Sequence, residues 1–482
     1  ALIVSEPTVS KKSEAKVFHS LMKILLGLTG FTNENQLLSG AKKLLDDEEF
    51  FNNVRQEEDK KSLVINHVSH SVTIAEVKTH AFNILRALFR HAQLGDLTRA
   101  YAADGLIAAI KSYDEGTWAE SNAASLLYSA LITRIFGVQR TKDHVNLTVH
   151  NKMTGKVFFD RYPKLLSFMI EKLRTFIEEE NGLIKPSVQS ILLLLSRLYL
   201  SCNADSGDVN WRIDEFVCLV SGCAKSRVYH TRELAARALV PLLTGKTVGP
   251  FINSLFEVII NGKRDNVNFN LIHGYLLQIL EILKSDLLTK SEVTQINFKQ
   301  FITDAEWIFD NLESNNNKSA CFPVATVLIK IYQEIIGIEN LMTTKVHFEV
   351  TTQRLLRHIN ECVILKNRPG REVYESTATS LLISLLESKL ERQGTNGGEV
   401  DYSRAWESVL SHPNYQVQMI GWSRVIKDME SLGELFYHKT TRLALESMTS
   451  INDPDLLAVI YEFLYQIFIN YEKNFNDHLL LI

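Results

Sequence analysis

Helical periodicity recurs along nearly the whole chain, and few residues interrupt it. Glycine and proline, the residues that most often break helices, number only 22 and 9 among 482 residues. In one clear example, Ala124, Leu127, Leu131 and Ile135 recur with the spacing of a single helix face. We find no period-two alternation long enough to form a useful strand. The sequence therefore predicts an all-α protein.

About twenty amphipathic segments follow one another, separated by short polar turns such as Asn181-Gly182. Helix pairs of about 40 residues are typical of HEAT and armadillo repeats, in which stacked neighbours share one continuous core. We therefore predict an armadillo/HEAT-like α-solenoid, a superhelix of stacked helix pairs. A compact multi-helical fold is the alternative, because the sequence shows no clean repeat.

Three regions are expected along the chain: helical repeats at 1–76, repeats at 77–286 with a basic loop at 138–154, and C-terminal repeats at 287–482. The chain opens inside an apolar run, A-L-I-V, which indicates that further residues precede it in a longer protein. The five cysteines form no C-x-x-C pair, and this favours reduced thiols and a cytoplasmic location. No apolar run approaches the roughly 20 residues of a membrane span.

A basic stretch follows the helix that is expected to end at Gly137. The whole chain has a formal net charge of −4, so any nucleic-acid contact requires a local basic patch. The stretch predicts an electrostatic cradle for an RNA backbone or an acidic protein surface, with three aromatic residues as stacking surfaces. An ordinary solvated loop, whose Phe residues start the next helix, is equally compatible with it. The candidate binding residues are Arg134, Arg140, Lys142, Lys152, Lys156 and Arg161, and the aromatic residues are Phe158, Phe159 and Tyr162.

A second basic segment, R-V-Y-H-T-R, begins at Arg227 and leads into a helix. One interpretation is that Arg232 and Arg237 contact phosphates along a groove. The other is that the arginine stems cover the core while their guanidinium groups bridge to a neighbouring repeat. The sequence gives both interpretations equal weight. Arg227, His230 and Arg232 are the candidate RNA- or partner-binding residues of this segment.

Motifs of known enzyme classes are missing from the sequence. It contains no phosphate-binding glycine loop, no nucleophile elbow and no zinc-protease helix motif. The 14 histidines do not cluster with other metal ligands at a suitable spacing. His273, beside Gly274 in an apolar segment, is expected to be a hydrogen-bonded core residue. We therefore predict no catalytic residue, no metal site and no cofactor.

Five sequence blocks stand out in the middle of the chain. They are V-K-T-H-A-F-N-I-L-R-A-L-F-R from Val77, W-A-E-S-N-A-A-S-L-L-Y-S-A-L-I-T-R-I-F-G-V-Q-R from Trp118, M-T-G-K-V-F-F-D-R-Y-P from Met153, R-V-Y-H-T-R-E-L-A-A-R-A-L-V-P from Arg227, and N-L-I-H-G-Y-L-L-Q from Asn270. In this order they resemble the C-terminal portion of the THADA family. The residues assigned to its structural motif are Trp118, Asn122, His273 and Gly274.

The resemblance implies a large armadillo-like helical protein without a catalytic centre of its own. Such a protein is an adaptor that binds tRNA and an FtsJ-type methyltransferase, and directs 2′-O-ribose methylation to position 32 of the anticodon loop. S-adenosylmethionine is expected on the partner enzyme only, and no DNA partner is expected. The alternative is a protein-only helical-repeat scaffold that makes no direct contact with RNA.

Overall fold

Helices account for nearly all of the described part of the chain, for which we use a computed structural model. It describes residues 11–30, 73–137, 153–179, 185–199, 213–262, 267–313, 320–338, 349–360, 368–393, 399–427, 434–449 and 451–479. The chain divides into two compact units, Ala1–Thr244 and Gly245–Ile482. The three regions expected from the sequence remain a prediction.

Unit 1 stacks its described helices in two layers. The helices are α1 (Lys11–Thr29), α2 (Ile74–Arg90), α3 (Gly95–Arg99), α4 (Ala102–Glu115), α5 (Trp118–Phe136), α6 (Gly155–Arg161), α7 (Pro163–Glu178), α8 (Pro186–Leu195), α9 (Ile213–Gly222) and α10 (Tyr229–Leu239). Helices α1, α4, α7 and α9 contact one another in chain order and form the first layer. Each packs on the next main helix, and α2, α5, α8 and α10 form the second layer.

Unit 2 repeats this arrangement. Its described helices are α11 (Gly245–Asn261), α12 (Phe269–Leu283), α13 (Lys290–Val293), α14 (Phe298–Asp304), α15 (Trp307–Glu313), α16 (Phe322–Gly337), α17 (Glu349–Asn360), α18 (Arg371–Gln393), α19 (Glu399–Leu410), α20 (Tyr415–Lys427), α21 (Glu434–Met448) and α22 (Pro454–Leu479). Helices α12, α16, α18, α20 and α22 contact one another in chain order and form its second layer. The first layer packs on them pair by pair.

These stacked pairs confirm the predicted all-α, solenoid class within each unit. Between residues 11 and 479, the described segments show extended pairing only as an isolated bridge that joins Thr154 and Tyr199. A search of the described helices finds none with the length and apolar character needed to span a membrane.

Local sequence signals set the ends of α2 and α5. Thr73 and Thr117 are their N-caps, and Glu76 and Glu120, three residues on, complete capping boxes with them. Helix α5 ends where Gly137 takes a φ of 80°, a conformation that suits glycine. The expected helix stop at Gly137 is therefore confirmed.

The three aromatic residues expected to stack on RNA belong to the core instead. Phe158, Phe159 and Tyr162 are buried, and the ring of Phe158 stacks on that of Phe136 with centroids 6.1 Å apart. Phe159 in turn contacts Phe216. The stacking interpretation was therefore wrong, and the alternative, that the Phe residues start the next helix, is confirmed. The physical reason is that the apolar face of an amphipathic helix is buried.

A polar cluster joins the helices of unit 2 around Arg354. Its guanidinium lies 3.0 Å from a carboxylate oxygen of Glu306 and 2.8 Å from one of Asp310, and also faces Glu313. Burial raises the pKa of Glu306, although a hydrogen bond from Thr351 and the charge of Arg354 oppose the shift. These ion pairs link α17 to α15 and to Glu306, the residue that directly precedes α15.

His358 extends this cluster to α18. Its Nε2 lies 2.9 Å from a carboxylate oxygen of Glu313, and its Nδ1 lies 2.6 Å from the hydroxyl of Tyr374. Burial lowers the pKa of His358; the Glu313 carboxylate opposes the shift, and the charges of Arg354 and Arg357 add to it. The cluster therefore favours a neutral imidazole.

Replacing Trp422 by alanine should destabilise unit 2 by about 3–5 kcal/mol, the usual cost of a large cavity in a core. Trp422 is fully buried and its ring contacts that of Phe463. The measurement is urea unfolding followed by circular dichroism. Trp118→Ala is the matched control, since its side chain is 83% exposed, and should change the free energy by at most about 0.5 kcal/mol. A similar effect of both changes would contradict the assigned core.

Unit 2 should lose stability as the pH falls below about 6.5, the ordinary pKa of histidine. Burial lowers the pKa of His358 and of His412 in the folded state, so the unfolded chain binds protons first. Their contribution is therefore complete above the unfolded pKa and decreases as the pH falls through it. The raised pKa of Glu306 acts in the opposite sense at lower pH, because there the folded state binds the proton first.

The measurement is the urea midpoint of unit 2 at about pH 7.5 and about pH 5.5, on either side of the histidine pKa. His358→Gln keeps hydrogen-bonding groups but cannot take up a proton in this range. It should show a smaller decrease between the two pH values than the parent chain. An equal decrease in both chains would show that His358 does not contribute.

Candidate nucleic-acid interface

A groove of about 580 Å³ opens between α2 and α5 in the second layer of unit 1. It lies towards the C-terminal ends of both helices. We call it the arginine groove, because three arginines line it together with small and apolar residues. Its lining consists of Arg86, Phe89, Arg90, Ala92, Leu126, Ser129, Ala130, Thr133, Arg134 and Gly137.

Packing of α2 on α5 positions this groove. Phe82, Leu85 and Phe89 form the buried face of α2, and Leu127 and Leu131 belong to that of α5. Arg86 and Arg90 are one turn apart on α2 and therefore lie on one side of the helix. The apolar stripes that hold the two helices together thus fix the positions of the arginine backbones.

Arg134 is the residue of the groove that the sequence predicted. Its side chain is half-buried, and its Nη2 donates a hydrogen bond to the carbonyl oxygen of His91 at 3.1 Å. His91 is the C-cap of α2. The guanidinium therefore gives a hydrogen-bond donor to a carbonyl at the end of that helix, where the helix itself supplies none. Gly95 allows the close approach, because a Cβ atom there would lie 2.6 Å from Nη2.

Arg86 and Arg90 were missed from the sequence. Arg86 is half-buried and Arg90 is exposed, and no described carboxylate lies within ion-pair distance of either one. The described lining also contains three arginines and no acidic residue. Their i, i+4 spacing was the available signal, but neither residue belongs to a dense basic run, which is the pattern that predicted the other candidates.

The other basic residues after α5 are only partly described. Arg140, Lys142 and Lys152 lie outside the described residues. Lys156 is half-buried and Arg161 is exposed, at the two ends of the short helix α6. The contact between Phe136 and Phe158 places α6 beside the end of α5.

The second basic segment is divided between the surface and the core. Arg232 is 7% exposed, and its Nη1 donates a hydrogen bond to the carbonyl oxygen of Ser226 at 2.6 Å. The guanidinium carbon of Arg232 also lies 5.9 Å from the ring centroid of Tyr229. These contacts favour the structural interpretation of Arg232. Arg227 and His230 are exposed, and the Nδ1 of His230 lies 3.4 Å from a carboxylate oxygen of Glu233.

The four residues of the family motif lie in different environments. Trp118 and Asn122 are exposed on α5. His273 and Gly274 are buried in α12. A search of the described segments for three or more clustered His, Cys, Asp or Glu side chains that are able to hold a metal ion finds none.

Two family models match the chain one after the other. Residues 1–119 match the model described as THADA/TRM732, DUF2428. Residues 121–282 match the model described as Trm732, C-terminal TPR repeats. The second match covers the helical repeats from α5 to α12, so the repeat description agrees with the observed stacking of helix pairs.

Three curated proteins with related sequences are all named as regulators of a tRNA (32-2'-O)-methyltransferase. The chain is 40% identical over 232 residues to the "tRNA (32-2'-O)-methyltransferase regulator THADA" of Chlorocebus aethiops, over 47% of this chain and 12% of the relative. It is 33% identical over 322 residues to the Gallus gallus protein of the same name, over 64% and 16%. The "tRNA (32-2'-O)-methyltransferase regulator trm732" of Schizosaccharomyces pombe is 26% identical over 247 residues, over 51% and 16%. The chain thus spans less than a fifth of the length of these relatives.

Proposed function

Because this chain belongs to the THADA/Trm732 family, we propose that it is part of a non-catalytic regulatory subunit of a tRNA 2′-O-methyltransferase. The observation that carries the proposal is the consecutive match of residues 1–119 and 121–282 to two models of one family. In this proposal the chain binds an FtsJ-type methyltransferase and tRNA, and directs methylation to ribose 32 of the anticodon loop.

The fold supports an adaptor role. Each helix pair of a solenoid adds a strip of surface, so stacked pairs hold two macromolecules without a single deep pocket. Exposed basic residues lie at several places in unit 1, including Arg90 on α2, Arg161 on α6 and Arg227 just before α10. These residues supply the positive charge that a phosphate backbone requires, although the chain as a whole is acidic.

The titratable groups of unit 2 also support a non-catalytic role. Two groups with shifted pKa values, the half-buried Glu306 and the buried His358, contact Arg354, Glu313 and Tyr374. A general acid or base needs access to a substrate, whereas these contacts brace three neighbouring helices. Methyl transfer and S-adenosylmethionine therefore belong to the partner enzyme in this proposal.

A protein-only scaffold is the second candidate, and one observation favours it. Helix α22 exposes Tyr461, Tyr465 and Phe468 on the side opposite its buried residues Leu456 and Ile460. Exposed aromatic residues at this spacing are typical of a surface that packs against protein. RNA contact distinguishes the two candidates.

The double variant Arg161→Ala/Arg227→Ala should weaken tRNA binding without changing association with the methyltransferase. Each lost phosphate contact should reduce the slope of log affinity against log salt by about 1. The measurement is fluorescence anisotropy with labelled tRNA across a salt series, with a pull-down of the purified methyltransferase alongside.

Arg174→Ala/Arg197→Ala is the matched control, because it removes two positive charges from other exposed positions of unit 1. One of them, Arg174, already pairs with Glu215. Equal loss of affinity in both double variants would mean that net charge alone sets binding. A methyltransferase complex that forms while the parent chain binds no tRNA would support the protein-only scaffold instead.

A further inference from the structure

We infer that the arginine groove binds one or two unpaired nucleotides of RNA, with phosphates on Arg86 and Arg90 and a base against Leu126. This inference rests on the proposed function, since it names the part of an RNA that the regulatory subunit would hold. The groove lies outside the basic runs that the sequence singled out, apart from Arg134.

Charge is the first reason. The groove gathers three guanidinium groups, and its described lining contains no carboxylate to balance them. Like charges that line one groove repel one another, and a bound anion offsets that repulsion. Arginine also matches phosphate in geometry, because its planar group donates two parallel hydrogen bonds to a pair of oxygens.

The contacts at the helix ends determine which arginines are available to bind a phosphate. Both α2 and α5 point their C-terminal ends towards the groove, and the partial negative charge there opposes an anion. Arg134 offsets this effect with its hydrogen bond to the carbonyl of His91. Arg86 and Arg90 have no such partner among the described residues, so they are the pair that carries the ligand.

The spacing of this pair fits a chain of phosphates. Residues four apart on a helix have Cβ atoms about 5–6 Å apart, and both side chains point along the same edge of the groove. Two long arginines at that separation are able to reach successive phosphodiester groups of one extended strand.

An apolar floor distinguishes this groove from a simple anion site. Leu126 is 37% exposed and lines the groove beside Ala130 and Phe89. A phosphate gains nothing from such a floor, whereas the flat face of a base buries it and stacks on a guanidinium plane. The exposed Ser129 and Thr133 add hydroxyl groups at the same wall.

The size of the groove favours an unpaired strand over a duplex as the bound element. A volume of about 580 Å³ is that of a small-molecule pocket and accommodates a nucleotide or two. A double helix presents its bases stacked and paired inside, so only its phosphates reach a groove of this size. Unpaired loop nucleotides present a free base and its phosphates together.

The double variant Arg86→Ala/Arg90→Ala should reduce affinity for a labelled single-stranded oligoribonucleotide at least tenfold near physiological salt. The salt slope should fall by roughly 1.4, about 0.7 for each lost phosphate contact on a single strand. Arg86→Lys/Arg90→Lys keeps the charge but loses the planar groups, so it should retain the slope and show a weaker preference for an unpaired base over an abasic strand. Anisotropy measures both, and thermal melting checks that each variant is folded.

Arg174→Ala/Arg197→Ala again serves as the charge-matched control and should lose much less affinity. The inference is overturned if the parent chain does not bind the oligoribonucleotide, if the Arg86/Arg90 variant binds it as tightly as the parent, or if an RNA duplex binds as well as the single strand. It is also overturned if the variant keeps RNA binding but loses the methyltransferase, since the groove would then hold an acidic protein segment.

Failure of the proposed function looks different. In that case the parent chain would bind the single strand through Arg86 and Arg90, yet would not associate with the methyltransferase or increase its methylation of tRNA. The oligoribonucleotide assay contains no enzyme, so it tests the groove alone.

Discussion

The burial of apolar stripes between neighbouring helices is the interaction on which every other feature of this chain depends. A single amphipathic pair leaves part of its stripe in water, and the next pair in the stack covers it. In unit 1 this produces a second layer in which α2 lies against α5, and in unit 2 the same packing continues from α12 to α22. Most of the stability of such a fold comes from contacts between consecutive pairs, so a local change affects mainly its nearest neighbours.

The arginine groove is a by-product of that packing. Two helices that cross pack closely where their large apolar residues meet and separate where only small ones do. Towards the ends of α2 and α5 the lining includes Ala92, Ala130 and Gly137, and the space that these leave is bordered by long basic side chains. A charged site therefore forms in a chain whose net charge is −4, and two of its three arginines, Arg86 and Arg90, lie outside any basic run of the sequence.

The fold class and much of the helix pattern were predictable, because helical period and the lack of breakers act over short stretches of sequence. The capped starts of α2 and α5 and the stop at Gly137 are of this local kind. Long-range placement was not predictable. Phe158 and Phe159 belong to the core, Arg232 is buried against Ser226, and Arg86 shares a groove with Arg134 only because two helices pack side by side. The spacing of residues within one segment does not predict that Arg86 and Arg134 lie in the same groove.

The contact between Arg134 and the residues after α2 allows the arginine groove to be altered from a position outside its lining. Arg134 uses the main-chain carbonyl of His91, so the side chain at position 91 can change while the hydrogen bond remains. Position 95 is different, since a methyl group there meets the tip of the arginine and not the backbone. The tip is flexible and would move aside, although its hydrogen bond to the His91 carbonyl oxygen would be lost. Alanine at position 95 would thus displace one charge of the groove while all three arginines remain, and would act as a mutation of the site from outside its lining.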